Sequence, residues 1–355
     1  MPTSHTIRNI QNIWRPDNYH GWGKRPPYFE GWYVKLVDPT EQHAYAVIPG
    51  IFLGEDPADS HCFVQTLAGN SGHSTYHRYP LDQFHADPDR FRVQVGPNYF
   101  SAQEIALDIA GPERTMQGVL RFDGTTPWPV RPLGPGIMDW YSFTPFMQCY
   151  HGVVSLDHTI RGVLAIDGVA VDFHGGRGYM EKDWGRSFPR AWVWMQTNHF
   201  QQPGRLSGTS LTASVATIPW LGTAFRGFIV GLWHRKMLFR FATYTGATIE
   251  HLSLDDAHVH WRMTGSTGPD NARYRLEIQA ERASGGLLHG PYAGESAPTG
   301  ESNAMLQRVM ESLTAQVHVR LVRLGDGGQE ILLFDDTGRH AGLEISGELG
   351  EILDG

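Results

Sequence analysis

Two short blocks of the 355-residue sequence place acids among aromatic residues. The first block, PYFEGWYVK at 27–35, contains a single acid, Glu30. Alternate side chains of a strand share a face, so Glu30 would lie with Tyr28 and Trp32. Burial raises the pKa of a carboxyl group, which makes Glu30 a candidate general acid. The alternative is a glutamate that faces solvent or accepts a hydrogen bond from a backbone amide.

The second block begins with GYMEKDWG at 178–185. Its charged residues Glu181, Lys182 and Asp183 are consecutive, and both acids are candidates for proton transfer. The alternative is a surface turn that carries an ion pair of little energetic value.

The same block continues with FPRAWVWMQTN at 188–198. A strand after Pro189 would place two indoles and two amides on one face: Trp192, Trp194, Gln196 and Asn198. Buried amides need partners, so this stripe suits a cavity for an aromatic or isoprenoid ligand with a polar head. The alternative is a solvated outer face with exposed tryptophans.

The elements that must position these residues are predicted to be strands. Short β-prone runs, each bounded by Gly, Pro, Asp or Asn, recur along the whole chain. Their spacing indicates antiparallel sandwiches or barrels. One stretch, 302–315, has apolar residues at helical spacing and predicts a short amphipathic helix near the C-terminus. The runs are 29–36, 44–48, 61–67, 91–95, 104–109, 118–122, 162–166, 191–200, 211–218, 227–233, 237–244, 259–263, 274–280, 316–324 and 329–334.

A weak internal duplication suggests two related β domains. WYVK at 32–35 precedes a run that ends in Ile-Pro at 48–49, and WVWM at 192–195 precedes one that ends in Ile-Pro at 218–219. The spacings differ between the two copies. The expected domains are 1–186 and 187–355.

Composition excludes several classes of protein. The formal charge of −8 is opposite in sign to the basic charge that nucleic-acid binding needs, so a nucleic-acid-binding protein is not expected. No apolar run approaches the ~20 residues of a membrane helix, and 1–10 lacks the apolar segment of a signal peptide, so a cytoplasmic location is expected. The two cysteines are expected to be free thiols. Histidine pairs at 73/77 and 258/260 have no further ligand at metal-binding spacing, so no metal site is predicted.

Both blocks resemble the tocopherol cyclase family. FEGWY at 29–33, and EKDWG at 181–185 followed by FPRAWVWMQTN at 188–198, match its strongest signatures, and weaker similarity continues through 228–241 and 341–347. The resemblance spans most of the chain. It implies a pair of lipocalin-like β domains of the calycin type, in agreement with the strand pattern.

The resemblance also implies a reaction. An acid protonates a trisubstituted alkene of a prenylated hydroquinone, and the phenol oxygen traps the tertiary carbocation to close a chromanol ring, with no cofactor. The implied site residues are candidate acids, cavity walls and groups that orient the hydroquinone. The acids are Glu30, Glu181 and Asp183; the walls are Trp32, Trp184, Trp192 and Trp194; the orienting groups are Tyr33, Gln196 and Asn198. Plant-type members read EKNWG, so this chain has Asp183 in place of their asparagine, which favours Glu30 and Glu181 as the acid.

Two other functions stay open. One is hydration of an isoprenoid double bond, or another cyclisation, in the same kind of cavity; water would then reach the cation. The other is a non-catalytic lipid- or quinone-binding protein, in which Glu30 and Glu181 would be ionised and paired with Lys or Arg. Under each, the expected partner is a hydrophobic small molecule, with transient membrane-surface contact open and the oligomeric state unknown.

Overall fold

The computed structural model describes residues 4–145, 147–201, 208–220, 222–268, 270, 272–291 and 305–353. Strands dominate these residues, so the expected all-β fold is confirmed. The helices are α1 (Ser4–Asn12) and α2 (Gly350–Leu353), with short 3-10 turns at Pro57–Asp59, Leu81–Gln83, Asp139–Phe143, Thr243–Thr245 and Asp326–Gly328.

The strands follow one another with short connections. They are β1 (Tyr28–Val37), β2 (Ala44–Leu53), β3 (His61–Ala68), β4 (Ser74–Tyr79), β5 (Phe84–Ala86), β6 (Arg92–Val95), β7 (Asn98–Ser101), β8 (Glu104–Ala110), β9 (Thr115–Asp123), β10 (Cys149–Ile166), β11 (Val169–Asp172), β12 (Arg177–Gly185), β13 (Ala191–Thr197), β14 (His199–Phe200), β15 (Ser210–Trp220), β16 (Thr223–His234), β17 (Met237–Ala242), β18 (Thr248–Leu254), β19 (His258–Thr267), β20 (Ala272–Glu281), β21 (Gly286–Pro291), β22 (Met305–Leu324) and β23 (Glu330–Gly347).

The chain forms two compact units. The first comprises 1–188 with 286–309, and the second comprises 189–285 with 310–355. The division into contiguous domains at residue 186 stays a prediction.

Each unit is built on one large antiparallel sheet. The first sheet runs β4-β3-β2-β1-β12-β10-β9-β8-β7-β6-β5, and the second runs β17-β16-β15-β13-β23-β22-β20-β19-β18. Among the described strands, the two end strands of each sheet do not pair with each other, so neither sheet closes into a barrel. The β1–β12 pairing brings together segments far apart in sequence, and with the β10–β12 pairing it positions the site described below.

Strand alternation gives each sheet a core face. In β1 the apolar residues Trp32, Val34 and Leu36 enter the core of the first unit. In β13 the residues Val193 and Met195 enter the core of the second unit. The residues between them lie on the opposite face, because successive strand side chains alternate.

The predicted helix at 302–315 is wrong. Its first three residues lie outside the described chain, and the rest belongs to the long strand β22. Buried residues alternate along β22 at Val309, Glu311, Leu313 and Ala315, which is a period of two. The buried acid Glu311 interrupted the apolar alternation and left a pattern that matched helical spacing.

The predicted strands all overlap observed strands. Within the described residues both cysteines are free thiols. In the same part of the chain, no helix has the length and apolar character needed to cross a membrane.

Candidate active site

β1 and β12 carry both sequence blocks and lie side by side. The register pairs Glu30 with Trp184, Gly31 with Asp183, and Tyr33 with Glu181. Directly opposed residues in an antiparallel pair point to the same face. The consecutive charges of the second block are therefore split: Lys182 points to the core face with Glu30, and both acids point to the other face.

The core-face cluster centres on a buried ion pair. Lys182 Nζ lies 2.6 Å from Glu30 Oε1, and both side chains are fully buried. Glu30 also accepts hydrogen bonds from the backbone N–H of His20, at 2.9 and 3.0 Å, and from the Tyr28 hydroxyl. The expected alternative, a glutamate that accepts from a backbone amide, describes part of this arrangement.

Glu30 is ionised in this environment. Desolvation raises its pKa, but the Lys182 ammonium and the hydrogen bonds from His20 and Lys182 outweigh desolvation and lower the pKa below its ordinary value. The lowered pKa argues against a neutral, proton-donating Glu30, and its role as an acid stays a prediction. Burial was one of the two alternatives for this block, and the charge partner Lys182 is far away in the sequence.

Lys182 is enclosed by acceptors and aromatic rings. Besides Glu30, its Nζ donates to the carbonyl oxygens of Pro16, at 3.2 Å, and of Asn18. The rings of Trp32 and Trp184 lie 4.9 and 4.5 Å from the same nitrogen. These two tryptophans, predicted as cavity walls, belong to the core of the first unit.

The opposite face carries an acid–base centre, which we define as His151, Glu181 and Asp183. His151 Nδ1 lies 2.9 Å from Asp183 Oδ1, and its Nε2 lies 3.5 Å from Glu181 Oε2. The Tyr179 hydroxyl donates to Glu181 Oε2 at 2.6 Å. Cys149 Sγ lies 3.9 Å from Asp183 Oδ1. The centre therefore spans the β10–β12 pair, in which His151 directly opposes Asp183.

His151 holds a proton at neutral pH. Burial lowers its pKa, but Asp183 and Glu181 together raise it to about 9. The same environment raises the pKa of the Cys149 thiol, chiefly by burial and then through the charge of Asp183, so the thiol stays protonated. The Asp183 side chain remains 28% exposed, against 16% for His151 and 6% for Glu181. Asp183 is thus the member of the centre most open to solvent.

Ligand atoms of the centre lie within 4.8 Å of one another, as do those of Asp255, His258 and His260 on the second unit. A metal bound at the centre would take the place of the proton on a ring nitrogen of His151. The second trio is partly or fully exposed, as solvated charged groups often are.

The structure thus brings together two of the three predicted acids and separates the third. Glu181 and Asp183 share one face and Glu30 lies on the other. The alternative for the second block, a surface turn, is wrong because this segment is the buried strand β12. His151 was missed, since only the β10–β12 register places it beside Asp183. Tyr33, an orienting candidate, is buried on the acid face opposite Glu181.

The predicted stripe of indoles and amides lies in the second unit. Trp192, Trp194, Gln196 and Asn198 are buried, so the alternative of exposed tryptophans is wrong. Trp192 Nε1 donates to Glu344 Oε2 at 2.7 Å. In β13 the stripe lies on the face opposite the core residues of that strand. Its role as a ligand cavity stays a prediction.

Known sequences resemble this chain over its length. The sequence profile described as tocopherol cyclase-like matches residues 129–347. The chain is 26% identical to the chloroplastic tocopherol cyclase of Zea mays over 211 residues, covering 59% of this chain and 41% of that protein. It is 26% identical to a probable chloroplastic tocopherol cyclase of Oryza sativa subsp. japonica, covering 93% of this chain and 77% of that protein. The chain therefore spans less than half the length of the maize protein.

Solved structures share the fold. CghA superposes with a TM-score of 0.52 at 12% identity, covering 91% of this chain and 89% of CghA. CghA with Sch210972 gives a TM-score of 0.51 at the same identity and coverage. At this identity the likeness concerns the fold alone.

Proposed function

The chain belongs to the tocopherol cyclase-like family, and from this premise we propose that it is a cofactor-independent intramolecular cyclase. The proposed substrate is a prenylated hydroquinone or another phenol that bears an isoprenoid chain. The observation that carries the proposal is the acid–base centre, in which a protonated His151 lies between two carboxylates and Asp183 opens to solvent.

The proposed reaction leaves the proton count of the centre unchanged. The protonated His151 makes the centre a proton donor. The centre gives one proton to the less substituted carbon of the prenyl double bond, and the π electrons of that double bond form the new C–H bond. The other alkene carbon becomes a tertiary cation. A lone pair of the phenol oxygen forms the C–O bond, and the phenolic O–H releases its proton to the centre. The product is an isomer of the substrate.

The carboxylates of Asp183 and Glu181 stabilise the positive charge near the centre both before and after the proton transfer. After His151 loses its proton, Asp183 and Glu181 lie beside a neutral imidazole, and their negative charge stabilises a carbocation held nearby. Before the transfer, the same carboxylates hold the imidazolium in place. Asp183 orients the ring through Nδ1, while Nε2 faces Glu181.

Glu30 has a structural role in this proposal. It is ionised, paired with Lys182, and on the core face of β1. Its bond from the His20 backbone ties the segment that precedes β1 to the sheet. This ion pair joins β1 to β12, the strand that carries Glu181 and Asp183.

Hydration of the double bond is the second candidate. The 28% exposure of the Asp183 side chain favours it, because water that reaches the centre would trap the cation as an alcohol. A substrate with a long isoprenoid tail would be collected from a membrane, so we extend the proposal to transient contact with a membrane surface.

The test is incubation of the purified protein with a phytylated or geranylgeranylated dimethyl-benzoquinol under anaerobic conditions, in light and in heavy water. A cyclase gives a product of unchanged mass in light water that gains one deuterium on carbon in heavy water. A product heavier by one water identifies a hydratase. Substrate that binds and is recovered unchanged would overturn the catalytic proposal in favour of a carrier.

A further inference from the structure

A gap in the side-chain cover of the first sheet lies next to the acid–base centre. On the face that carries His151 and Asp183, the residue directly opposite Asp183 on β1 is Gly31, and the residue opposite Gly31 on β2 is Gly50. Directly opposed residues have Cα atoms about 4.5–5.5 Å apart. Beside Asp183 two neighbouring strands therefore lack a side chain, and at Gly50 the ring of Phe63 covers the backbone.

Packing does not demand glycine at position 31. Its φ is not in the left-handed region, so any residue could adopt this backbone conformation. A Cβ atom added to Gly31 would meet Ile48 Cγ2 and the Pro49 carbonyl oxygen at 3.7 Å, which is ordinary contact. Gly50 differs, because a Cβ there would lie 2.4 Å from Phe63 Cζ and 2.8 Å from the Glu30 carbonyl oxygen. Steric packing therefore requires glycine at position 50, whereas it does not require glycine at position 31.

The gap at Gly31 is open to solvent. Gly31 is partly exposed in the middle of a strand whose adjacent residues, Glu30 and Trp32, are buried. Ile48, beside it on β2, is also partly exposed. We use the word recess for these partly exposed positions together with the Asp183 side chain, which is 28% exposed and belongs to the acid–base centre. A glycine weakens the interior of a strand, so its presence at the recess calls for a reason other than the fold.

We propose that Gly31 is a specificity-determining residue, and that its missing side chain makes room for the reacting end of the substrate. The inference rests on the proposed function and deepens it. A flat hydroquinone ring and its branched alkene can lie against the Gly31 backbone with the alkene beside Asp183. Any side chain at this position occupies the volume that a trisubstituted alkene would need.

The experiment compares Gly31→Ala and Gly31→Val with the wild type. Gly31→Ala is expected to fold with a melting temperature at or above the wild-type value, because the added Cβ has room and the unfolded chain loses freedom. The melting temperature of Gly31→Val is measured alongside, and activities are compared at a temperature at which all the variants are folded. We expect kcat/KM for a prenylated hydroquinone to fall by about tenfold for alanine, which adds one carbon, and by about a hundredfold for valine, which adds three, because small steric changes in a tight pocket have effects of this order. Ile48→Ala, which removes the nearest side chain, should partly restore activity to Gly31→Ala. Gly50→Ala is the matched control and should lower the melting temperature.

A second readout separates this inference from the proposed function. Binding of the oxidised, unreactive prenylated benzoquinone is measured for the wild type and Gly31→Val by tryptophan fluorescence. If the wild type binds the quinone but turns over no hydroquinone, the cyclase proposal fails, and weaker binding by Gly31→Val still supports the recess. Equal turnover, or equal binding, in the wild type and Gly31→Val would overturn the role of Gly31. No binding by the wild type would overturn both proposals.

Discussion

The protonation of His151 gives the sharpest prediction. Its pKa is raised from the ordinary 6.5 to about 9, because Asp183 and Glu181 outweigh the effect of burial. At about 1.4 kcal/mol per pH unit, the change corresponds to about 3 kcal/mol of preference for the protonated form in the folded protein. The side chain is only 16% exposed, so solvent screening reduces this value little.

The sign of the effect on stability follows from linkage. A histidine whose folded pKa lies above its unfolded pKa stabilises the fold fully below pH 6.5, and this contribution disappears as pH rises toward 9. The groups that face His151 are Asp183 and Glu181 from β12, with the protonated Cys149 thiol beside Asp183. Burial opposes the charges of Asp183 and Glu181, and these charges outweigh it.

The assay is a titration of labelled histidine side chains by NMR. His151→Asn assigns the His151 resonance by its disappearance. We expect a midpoint near 9 in the wild type and a lower one in Asp183→Asn, which removes the nearest charge. Denaturant unfolding from pH 6 to pH 9.5 should show a loss of about 3 kcal/mol in the wild type that His151→Asn lacks. A His151 midpoint at or below 6.5 would refute the argument.

Further predictions concern the buried charges of the first unit. Lys182→Met strands the buried Glu30 carboxylate and should lower the free energy of unfolding by about 3–5 kcal/mol, measured by denaturant titration; an unchanged midpoint would contradict the ion pair. Glu30→Gln should lower stability but keep turnover of the folded protein within about threefold; a loss of turnover by a hundredfold would restore Glu30 as the acid. Burial, and then Arg177, lower the pKa of His158 to about 3, so unfolding takes up a proton and stability should fall as pH decreases from 6.5 toward 3. His158→Gln should flatten that decrease in pH-dependent denaturation, and an unaltered slope would show that other groups cause it.

The local sequence predicted most strands, because a run of β-prone residues between turn-forming residues indicates a strand without reference to the rest of the chain. Two exceptions, β12 and the first half of β22, have charged residues at strand positions. β12 contains Glu181, Lys182 and Asp183 in succession, and each is accommodated because alternation sends them to different faces with different partners. Glu311 in β22 misled the helix prediction in the same way.

The sequence predicted candidate site residues within single strands, but it did not predict which residues of different strands contact each other. Glu181 and Asp183 were identified from their own block, whereas the burial of Glu30 was one of two alternatives. The charge state of Glu30 depends on Lys182, and the acid–base centre depends on His151, and neither partner is a neighbour in sequence. Local sequence periodicity does not predict which residues of different strands become neighbours. The proton donors and ion pairs of the site therefore follow only from the strand pairing in the structure.

We propose that the reacting proton comes from the face of the first sheet that carries His151, and not from the face that carries Glu30. The most direct measurement is deuterium incorporation into a prenylated hydroquinone in heavy water by the wild type, His151→Asn and Glu30→Gln, at a temperature at which all three are folded. We expect one deuterium on carbon from the wild type and from Glu30→Gln, and a rate about 10²–10⁴-fold lower from His151→Asn. Wild-type rates from His151→Asn, together with loss of incorporation in Glu30→Gln, would contradict the account.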